Sequence, residues 1–312
     1  MVSENVLKRS PAGSFPAEDF RSGFVSIVGR PNVGKSTLLN RLVGVKIVIT
    51  SARPQTTRNT IRGIANWPDA QVVFLDTPGI HEATTGLNRR MVKRALEALE
   101  DVDCILHMIE PALPIHPEDR SIMDRLARVG TPAFLLINKI DRVKKDTLLP
   151  LMEKAGRLHP FYEIIPLSAL NGDGVDRLTE RILSVLRPGP RYFPEDILTD
   201  RTERFLVAEF IREKIFRMTG EEIPYCSAVT VEKFEENADK KLIVISATIH
   251  VERENQKGII IGRGGRRLKA IGKAAREDLE LILGSRIFLE LFVRAQKNWR
   301  SIPRLWEEMG IE

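Results

Sequence analysis

The chain has 312 residues, more than one domain usually holds, so two domains are expected. Apolar residues make up 43% of it, enough for buried cores. No apolar run approaches the ~20 residues of a membrane-spanning helix, and the N-terminus carries no apolar signal segment, so neither a spanning nor an exported protein is expected.

The net charge of +6 leans toward a polyanionic partner, but the excess is small for the length. Cys104 and Cys226 lie far apart in apolar runs and read as buried, reduced thiols of a cytosolic protein. Residues 1–20 mix Ser, Pro, Gly, Glu and Lys without periodicity and read as a flexible leader. Phe24-Val25-Ser26-Ile27-Val28 reads as a buried strand, and Leu38, Leu39 and Leu42 are spaced for the inner face of a helix. Val45 to Arg58 is polar and Thr-rich, a mobile loop. Thr60 to Ile64 and Val72 to Leu75 flank Trp67-Pro68-Asp69-Ala70 as a hairpin. A helix is expected over Leu87–Glu100. Strands at Cys104–Ile109, Ala133–Ile137 and Ile164–Leu167 then alternate with helices at Glu118–Val129, Asp146–Leu158 and Val175–Leu186. That alternation predicts a doubly wound, mostly parallel α/β domain over residues 21–187.

Three prolines within Arg187 to Pro194 open a stiff linker over 188–200. Beyond it, over 201–312, a helix from Arg201 to Met218 precedes strands at Ala228–Val231 and Leu242–Ile249. A helix with Leu268, Ile271, Ala275, Leu279 and Ile282 on one face then leads to a strand around Ile287–Val293. This is a smaller α+β domain with one open sheet.

Between the first strand and its helix stands Gly29-Arg30-Pro31-Asn32-Val33-Gly34-Lys35-Ser36-Thr37. A strand, a Gly-rich turn and a helix are the context of a phosphate-binding loop, with backbone N–H groups and the helix N-terminus facing anionic oxygens. Lys35 would reach the outer phosphates and Ser36 a Mg²⁺ bridging them. Asp76-Thr77-Pro78-Gly79 ends the next strand, where an aspartate can hold a Mg²⁺-bound water and a glycine N–H can meet a γ-phosphate. Asn138-Lys139-Ile140-Asp141 ends a third strand. The acceptor-only carboxylate of Asp141 matches the paired donors of guanine, and such sites can discriminate by ~10⁴-fold. Ser168-Ala169-Leu170 is placed to offer a backbone N–H to guanine O6. The set, each at a strand's C-terminal end, points to GTP.

One threonine of Gln55-Thr56-Thr57-Arg58 should ligate Mg²⁺ in the GTP state, Thr57 being preferred over Thr56. Lys35, Thr57, Asp76 and Gly79 are the candidate catalytic residues. Ile80 stands where Ras-like proteins carry a water-orienting glutamine, so another group must position the water. His81 reads as a solvated loop histidine rather than a base. Asn32 either ligates a monovalent cation, K⁺, beside the phosphates or caps the loop backbone.

The forms Gly-Arg-Pro-Asn-Val-Gly-Lys-Ser-Thr, Gln-Thr-Thr-Arg, Asp-Thr-Pro-Gly-Ile-His and Asn-Lys-Ile-Asp resemble those of the Era family, GTPases of bacterial small-subunit ribosome assembly. The similarity runs over roughly residues 21 to 300. Between Lys257 and Arg276 stand seven basic residues and no acidic one, around Gly262-Arg263-Gly264-Gly265. In KH domains a Gly-x-x-Gly loop between helices clamps about four nucleotides of a single strand. Lys257, Ile261, Gly262, Arg263, Gly264, Gly265, Arg266 and Lys269 are the candidate RNA contacts, whereas Ala295 and Gln296 make the final strand less basic than is common in the family.

The resemblance implies a switch enzyme, ordered by GTP and released by hydrolysis. Its partners would be the 3′ end of small-subunit ribosomal RNA and the assembling small subunit. It implies a cytoplasmic protein, expected as a monomer, with peripheral contact at the inner face of the cell membrane as a further option. The amphipathic tail Trp299–Met309 is expected to pack on its own domain. A constitutive RNA-binding protein would not need Lys35, Ser36, Asp76 and Asp141 intact.

Overall fold

The structure is a computed structural model that describes residues 20–51, 53, 58, 59, 61–77, 79, 101–220, 222–237, 239, 241–297, 299 and 306. The leader, the helix expected at 87–100, Gln55, Thr56, Thr57, Pro78, Ile80, His81 and most of the tail lie outside the described residues.

The first unit is built on six strands: β1 Arg21–Val28, β2 Ile61–Trp67, β3 Ala70–Asp76, β4 Cys104–Ile109, β5 Ala133–Ile137 and β6 Glu163–Pro166. Their order is β2-β3-β1-β4-β5-β6, with every pairing parallel except the β2–β3 hairpin. β4 and β5 are buried at every position, which is why they read as unbroken apolar runs. Helices α1 (Lys35–Val43) and α4 (Val175–Val185) press Leu38, Leu39, Leu42, Leu178 and Ile182 onto one face of the sheet. Helices α2 (Pro117–Leu126) and α3 (Leu148–Leu158) cover the other through Ile122, Leu126, Leu148 and Leu151. The expected doubly wound α/β domain is what forms. The helix expected from Asp146 starts as a 3-10 turn at Lys145–Thr147, and Pro150 then falls in the first turn of α3, where no N–H is missed.

The stretch read as a mobile loop and the stiff linker both make contacts with the first unit. Ile47, Val48 and Ile49, inside the stretch expected as a mobile polar loop, are buried. Asn40 of α1 makes that possible: its Oδ1 accepts from the Ile47 and Val48 N–H groups, both at 2.9 Å, and its Nδ2 donates to Val48 O at 2.7 Å. The linker likewise lies along the open edge of β2. Ile64 N–H donates to Leu198 O at 2.8 Å and Asn66 Nδ2 to Glu195 O at 2.8 Å. The buried amide of Gln71 receives the N–H groups of Tyr192 and Phe193 at 2.7 and 2.9 Å and donates to Phe193 O at 2.8 Å. An edge strand is thereby covered.

The second unit contains α5 (Glu203–Met218), α6 (Ile223–Cys226), β7 (Ala228–Asn237), β8 (Leu242–Val251), α7 (Glu254–Ile261), α8 (Arg266–Leu283) and β9 (Arg286–Ala295). Thr202 caps α5 by accepting from Phe205 N–H. The sheet runs β7-β8-β9, antiparallel then parallel, and Phe210, Ile211, Ile245, Ile249, Ile271 and Leu279 fill the core beneath it. Trp299 is fully buried and donates to Cys226 O at 3.0 Å; of the tail's apolar positions, the two described, Trp299 and Trp306, are both inside the fold. Both cysteines are buried free thiols, as expected.

The units touch through charge. Lys46 Nζ stands 2.7 Å from Glu213 Oε2 and 2.8 Å from Asp278 Oδ2. Burial pushes the Glu213 carboxyl upward, but Lys46, the Thr50 N–H and Lys214 outweigh that and hold it below the ordinary glutamate range. Arg58, also buried, donates to Ser227 O, Pro224 O and Tyr225 O at 2.8, 3.2 and 3.1 Å.

Gln71→Leu keeps the volume of that side chain but leaves two linker N–H groups and a carbonyl without it. Stability in urea should fall by about 2–3 kcal/mol, and protease should cut within 187–200 faster than in wild type. An unchanged midpoint and cutting rate would mean that Gln71 does not hold the linker.

Candidate nucleotide site

Three loops at the C-terminal ends of parallel strands, joined by Gly79 after β3, close on one cavity of about 540 Å³. The first follows β1. Gly34 ends it with φ +110, and a Cβ there would stand 2.2 Å from Asn138 Nδ2, so the turn into α1 requires glycine. Lys35 is buried, with its ammonium 2.9 Å from both Gly29 O and Arg30 O, carbonyls of its own loop. Burial lowers its pKa to about 8, against the pull of the Asp76 carboxylate. Ser36 Oγ donates to Asp76 Oδ2 at 2.8 Å, which joins the first loop to the end of β3. Thr77 Oγ1 donates to Ile27 O, and Gly79 lies against Pro31, where an added Cβ would come within 2.6 Å of the proline nitrogen.

The second loop follows β5 and the third follows β6. Asn138 is buried; its Nδ2 donates to Val33 O at 2.7 Å and its Oδ1 accepts from Ala169 N–H at 2.8 Å. Of the backbone N–H groups of Ser168-Ala169-Leu170, that of Ala169 is engaged by Asn138. Lys139, at φ +65, donates to Asn32 O at 2.6 Å and pairs with Glu110. Ser168 Oγ donates to Asp141 Oδ1 at 2.6 Å and so orients the exposed carboxylate. Ile140 carries no lining contact; it packs against the core below. Val33 is likewise a core side chain, and what it brings to the loop is backbone.

The cavity is lined by Pro31, Asn32, Gly34, Lys35, Ser36, Thr37, Gly79, Asn138, Lys139, Asp141, Ser168, Ala169 and Leu170, all singled out from sequence. Arg30 points away from it, its Nε 2.9 Å from Asp119 Oδ2 on α2. Five lining residues were missed: Ile49, Thr50, Ser51, Arg142 and Arg217. Arg41 was missed as well; from α1 it donates to Ala169 O at 2.6 Å and to Leu170 O, fixing the third loop from behind. No sequence spacing links Arg41 to position 169, so motif reading had no signal for it.

The Lys35 ammonium gives the cavity a pH dependence. Phosphate beside it would raise its pKa from about 8, so binding takes up a proton whenever the lysine starts neutral. Below pH 8 it starts charged and affinity for GDP should be level. Above pH 8 affinity should fall by up to about tenfold per pH unit. Titrations with GDP at pH 7, 8, 9 and 9.5 check this, and a flat profile to pH 9.5 would place the lysine away from the phosphates.

Residues 24–139 match the 50S ribosome-binding GTPase family, and residues 222–300 match the KH domain. GTPase Era of Geotalea uraniireducens is 55% identical over 295 residues, covering 95% of this chain and 99% of that one. GTPase Era of Syntrophus aciditrophicus is 54% identical over 291 residues, covering 93% and 95%. Among solved structures, a variant of Aquifex aeolicus Era bound to GDP.AlF4- superposes with a TM-score of 0.90 at 43% identity, covering 94% of this chain and 99% of that one. Era in complex with MgGDPNP and nucleotides 1506–1542 of 16S ribosomal RNA superposes equally well, at the same identity and coverage. With identity of this order along nearly its whole length, and with phosphate and base loops converging on one cavity, the chain belongs to the Era family of GTPases.

Proposed function

We propose that this GTPase is a switch that binds the 3′ end of small-subunit ribosomal RNA and assists assembly and maturation of the small ribosomal subunit. The observation that carries the reading is one chain holding both a guanine-nucleotide cavity and an open Gly-x-x-Gly clamp between α7 and α8. The relative in complex with a 16S ribosomal RNA segment supports it.

In the nucleotide site, Lys35 would compensate phosphate charge, Asp141 would accept from the guanine donors and Gly79 would offer its N–H to the γ-phosphate. The hydroxyl of Ser36 beside the buried Asp76 carboxylate is a hard-oxygen donor pair that fits Mg²⁺, with Thr57 as its partner from the switch loop. Bound there, the ion would neutralise charge on the β- and γ-phosphates. A potassium ion beside the phosphates would meet the side chain of Asn32, because the Asn32 carbonyl is engaged by Lys139.

In the second unit, Gly264 has φ +61 and no atom lies within 4 Å of where its Cβ would stand, so its backbone faces open space. Arg263, Arg266 and Lys269 are exposed beside it, and Lys257 meets a carboxylate only at 3.8 Å. A groove of about 460 Å³ continues from Gly265 between α8 and β9, floored by Leu268, Leu289 and Leu291 and edged by Lys269, Lys273 and Arg276. Apolar floor, basic rim and an approachable backbone suit stacked bases with their phosphates outside. Ile261 is half-buried beside the clamp, and Gln296 is tied into the fold by its N–H to Val251 O. The reading takes the protein as a cytoplasmic monomer. The buried Trp299 and Trp306 leave peripheral membrane contact to other residues of the tail.

Asp141→Asn replaces an acceptor with a donor opposite guanine's donors. GTP affinity should fall by at least about a hundredfold, and xanthosine triphosphate should gain, since its 2-oxo group accepts from the new amide. Equal GTP affinity by calorimetry would remove Asp141 from the base site. For the clamp, Gly264→Asp meets no neighbour, and Asp is one of the few side chains that visit the left-handed backbone, so the fold should persist at a small cost while a negative charge faces RNA phosphate. Anisotropy with a short single-stranded oligonucleotide of the ribosomal RNA 3′ end should show affinity reduced by about tenfold or more. Equal binding by wild type and variant would make the basic run a solvated face.

A further inference from the structure

Part of the nucleotide cavity's wall does not come from the first unit. Arg217, which lines the cavity beside Ile49, Thr50 and Ser51, sits in the last turn of α5 in the second unit. Its position follows from packing. One turn earlier on α5, the fully buried Glu213 accepts from Thr50 N–H at 3.0 Å and from Lys46 at 2.7 Å, which fastens the helix to the cavity's edge. Arg217 follows at i+4 and faces the same way, with Nη2 3.0 Å from Glu213 Oε1 and 3.4 Å from both Thr50 O and Thr50 Oγ1. The two threonine contacts are at the long limit of hydrogen bonding. The side chain is 49% exposed. Among the described residues its hydrogen bonds and its ion pair run through Nη2, so Nε and Nη1 keep donors in a group that has five donors, no acceptor and a place in the cavity wall.

We propose that Arg217 is a nucleotide-contacting residue, its guanidinium donating to a phosphate oxygen of the guanine nucleotide. The inference rests on the cavity being the GTP and GDP site. Phosphate is the partner because a permanently charged donor is matched by an anionic oxygen, whereas a ribose hydroxyl would use a single donor and none of the charge. The phosphate end would then be flanked by two cations of different origin, Lys35 from the loop before α1 and Arg217 from the other domain. The second unit thereby forms part of the nucleotide site itself.

The test uses the full chain as wild type, Arg217→Ala and Arg217→Lys, with Mg²⁺ present and a fluorescent GDP displaced by GDP, GMP, 2′-deoxyguanosine diphosphate or guanosine. Arg217→Ala should weaken GDP and GMP by about tenfold, as expected for one charge-assisted contact, and should leave guanosine unchanged. Arg217→Lys should recover part of the loss, since it keeps the charge without the fork. Failure of the wild type to bind GDP would overturn the nucleotide reading itself. Normal wild-type binding with equal GDP affinity in Arg217→Ala would overturn only the role of Arg217. An equal loss for guanosine would mean that Arg217 merely holds Thr50 in place. A loss that disappears with 2′-deoxyguanosine diphosphate would assign the contact to the ribose. Either result overturns the phosphate contact.

Discussion

The side-chain amide of Asn138 is buried and makes two bonds of opposite kind, donating to Val33 O in one loop and accepting from Ala169 N–H in another. Those loops rise from β1 and β6, which are separated in the sheet by β4 and β5. No strand pairing holds them together, so the amide spans the gap. Removing it would strand a buried carbonyl and a buried N–H, each costing about 1–3 kcal/mol. Lys139 on Asn32 O and Arg41 on Ala169 O act in the same direction. The separation between Lys35 and Asp141 is therefore fixed by hydrogen bonds to main-chain atoms. For the guanine nucleotide proposed here, loops tied together before binding would lower the ordering cost.

The same logic explains the charge behind the phosphate loop. Arg30 could have faced the cavity, but Asp119 turns it toward α2. Burial raises the Asp119 carboxyl, and the guanidinium pulls it back toward ionisation. His107, 4.0 Å from that carboxylate, is not a competing cation. Complete burial, reinforced by His159, Lys35 and Arg30, pushes its pKa down to about 3, so it stays neutral. Arg30 is thereby an anchor that fixes where the loop leaves the sheet, and the charge offered to phosphate inside the cavity falls to other side chains.

What the sequence made legible is what depends on local periodicity or on contiguous chemistry. The unbroken apolar runs of β4 and β5, the hairpin around Pro68 and the Gly-rich turns all declare themselves within a few residues. Ile47, Val48 and Ile49 did not, because an apolar triad in a polar stretch has neither strand nor helix period. Its burial depends on Asn40 supplying backbone partners. The prolines after Arg187 announced a break but not a strap, since the docking site is Gln71, far away in sequence and unremarkable as a strand glutamine. Arg217 was invisible for a similar reason. Its value comes from the packing of α5 against residues 46–50, and no motif spans domains.

Buried charged side chains tie the units together, Glu213 on one side and Arg58 on the other. Glu213 has no exposure and would be costly to bury alone, so Lys46, Lys214 and the Thr50 N–H must stay with it. At the other end, Arg58 is held by three carbonyls of residues 224–227. Both anchors lie on the second unit, and between them runs Gln55-Thr56-Thr57, the segment to which sequence assigned the switch. Its described flanks, Thr50 and Arg58, are thus tied to α5 and to the turn before β7 in addition to their own unit. Parting Thr50 from Glu213, or Arg58 from the 224–227 carbonyls, would strand a buried polar group at either flank.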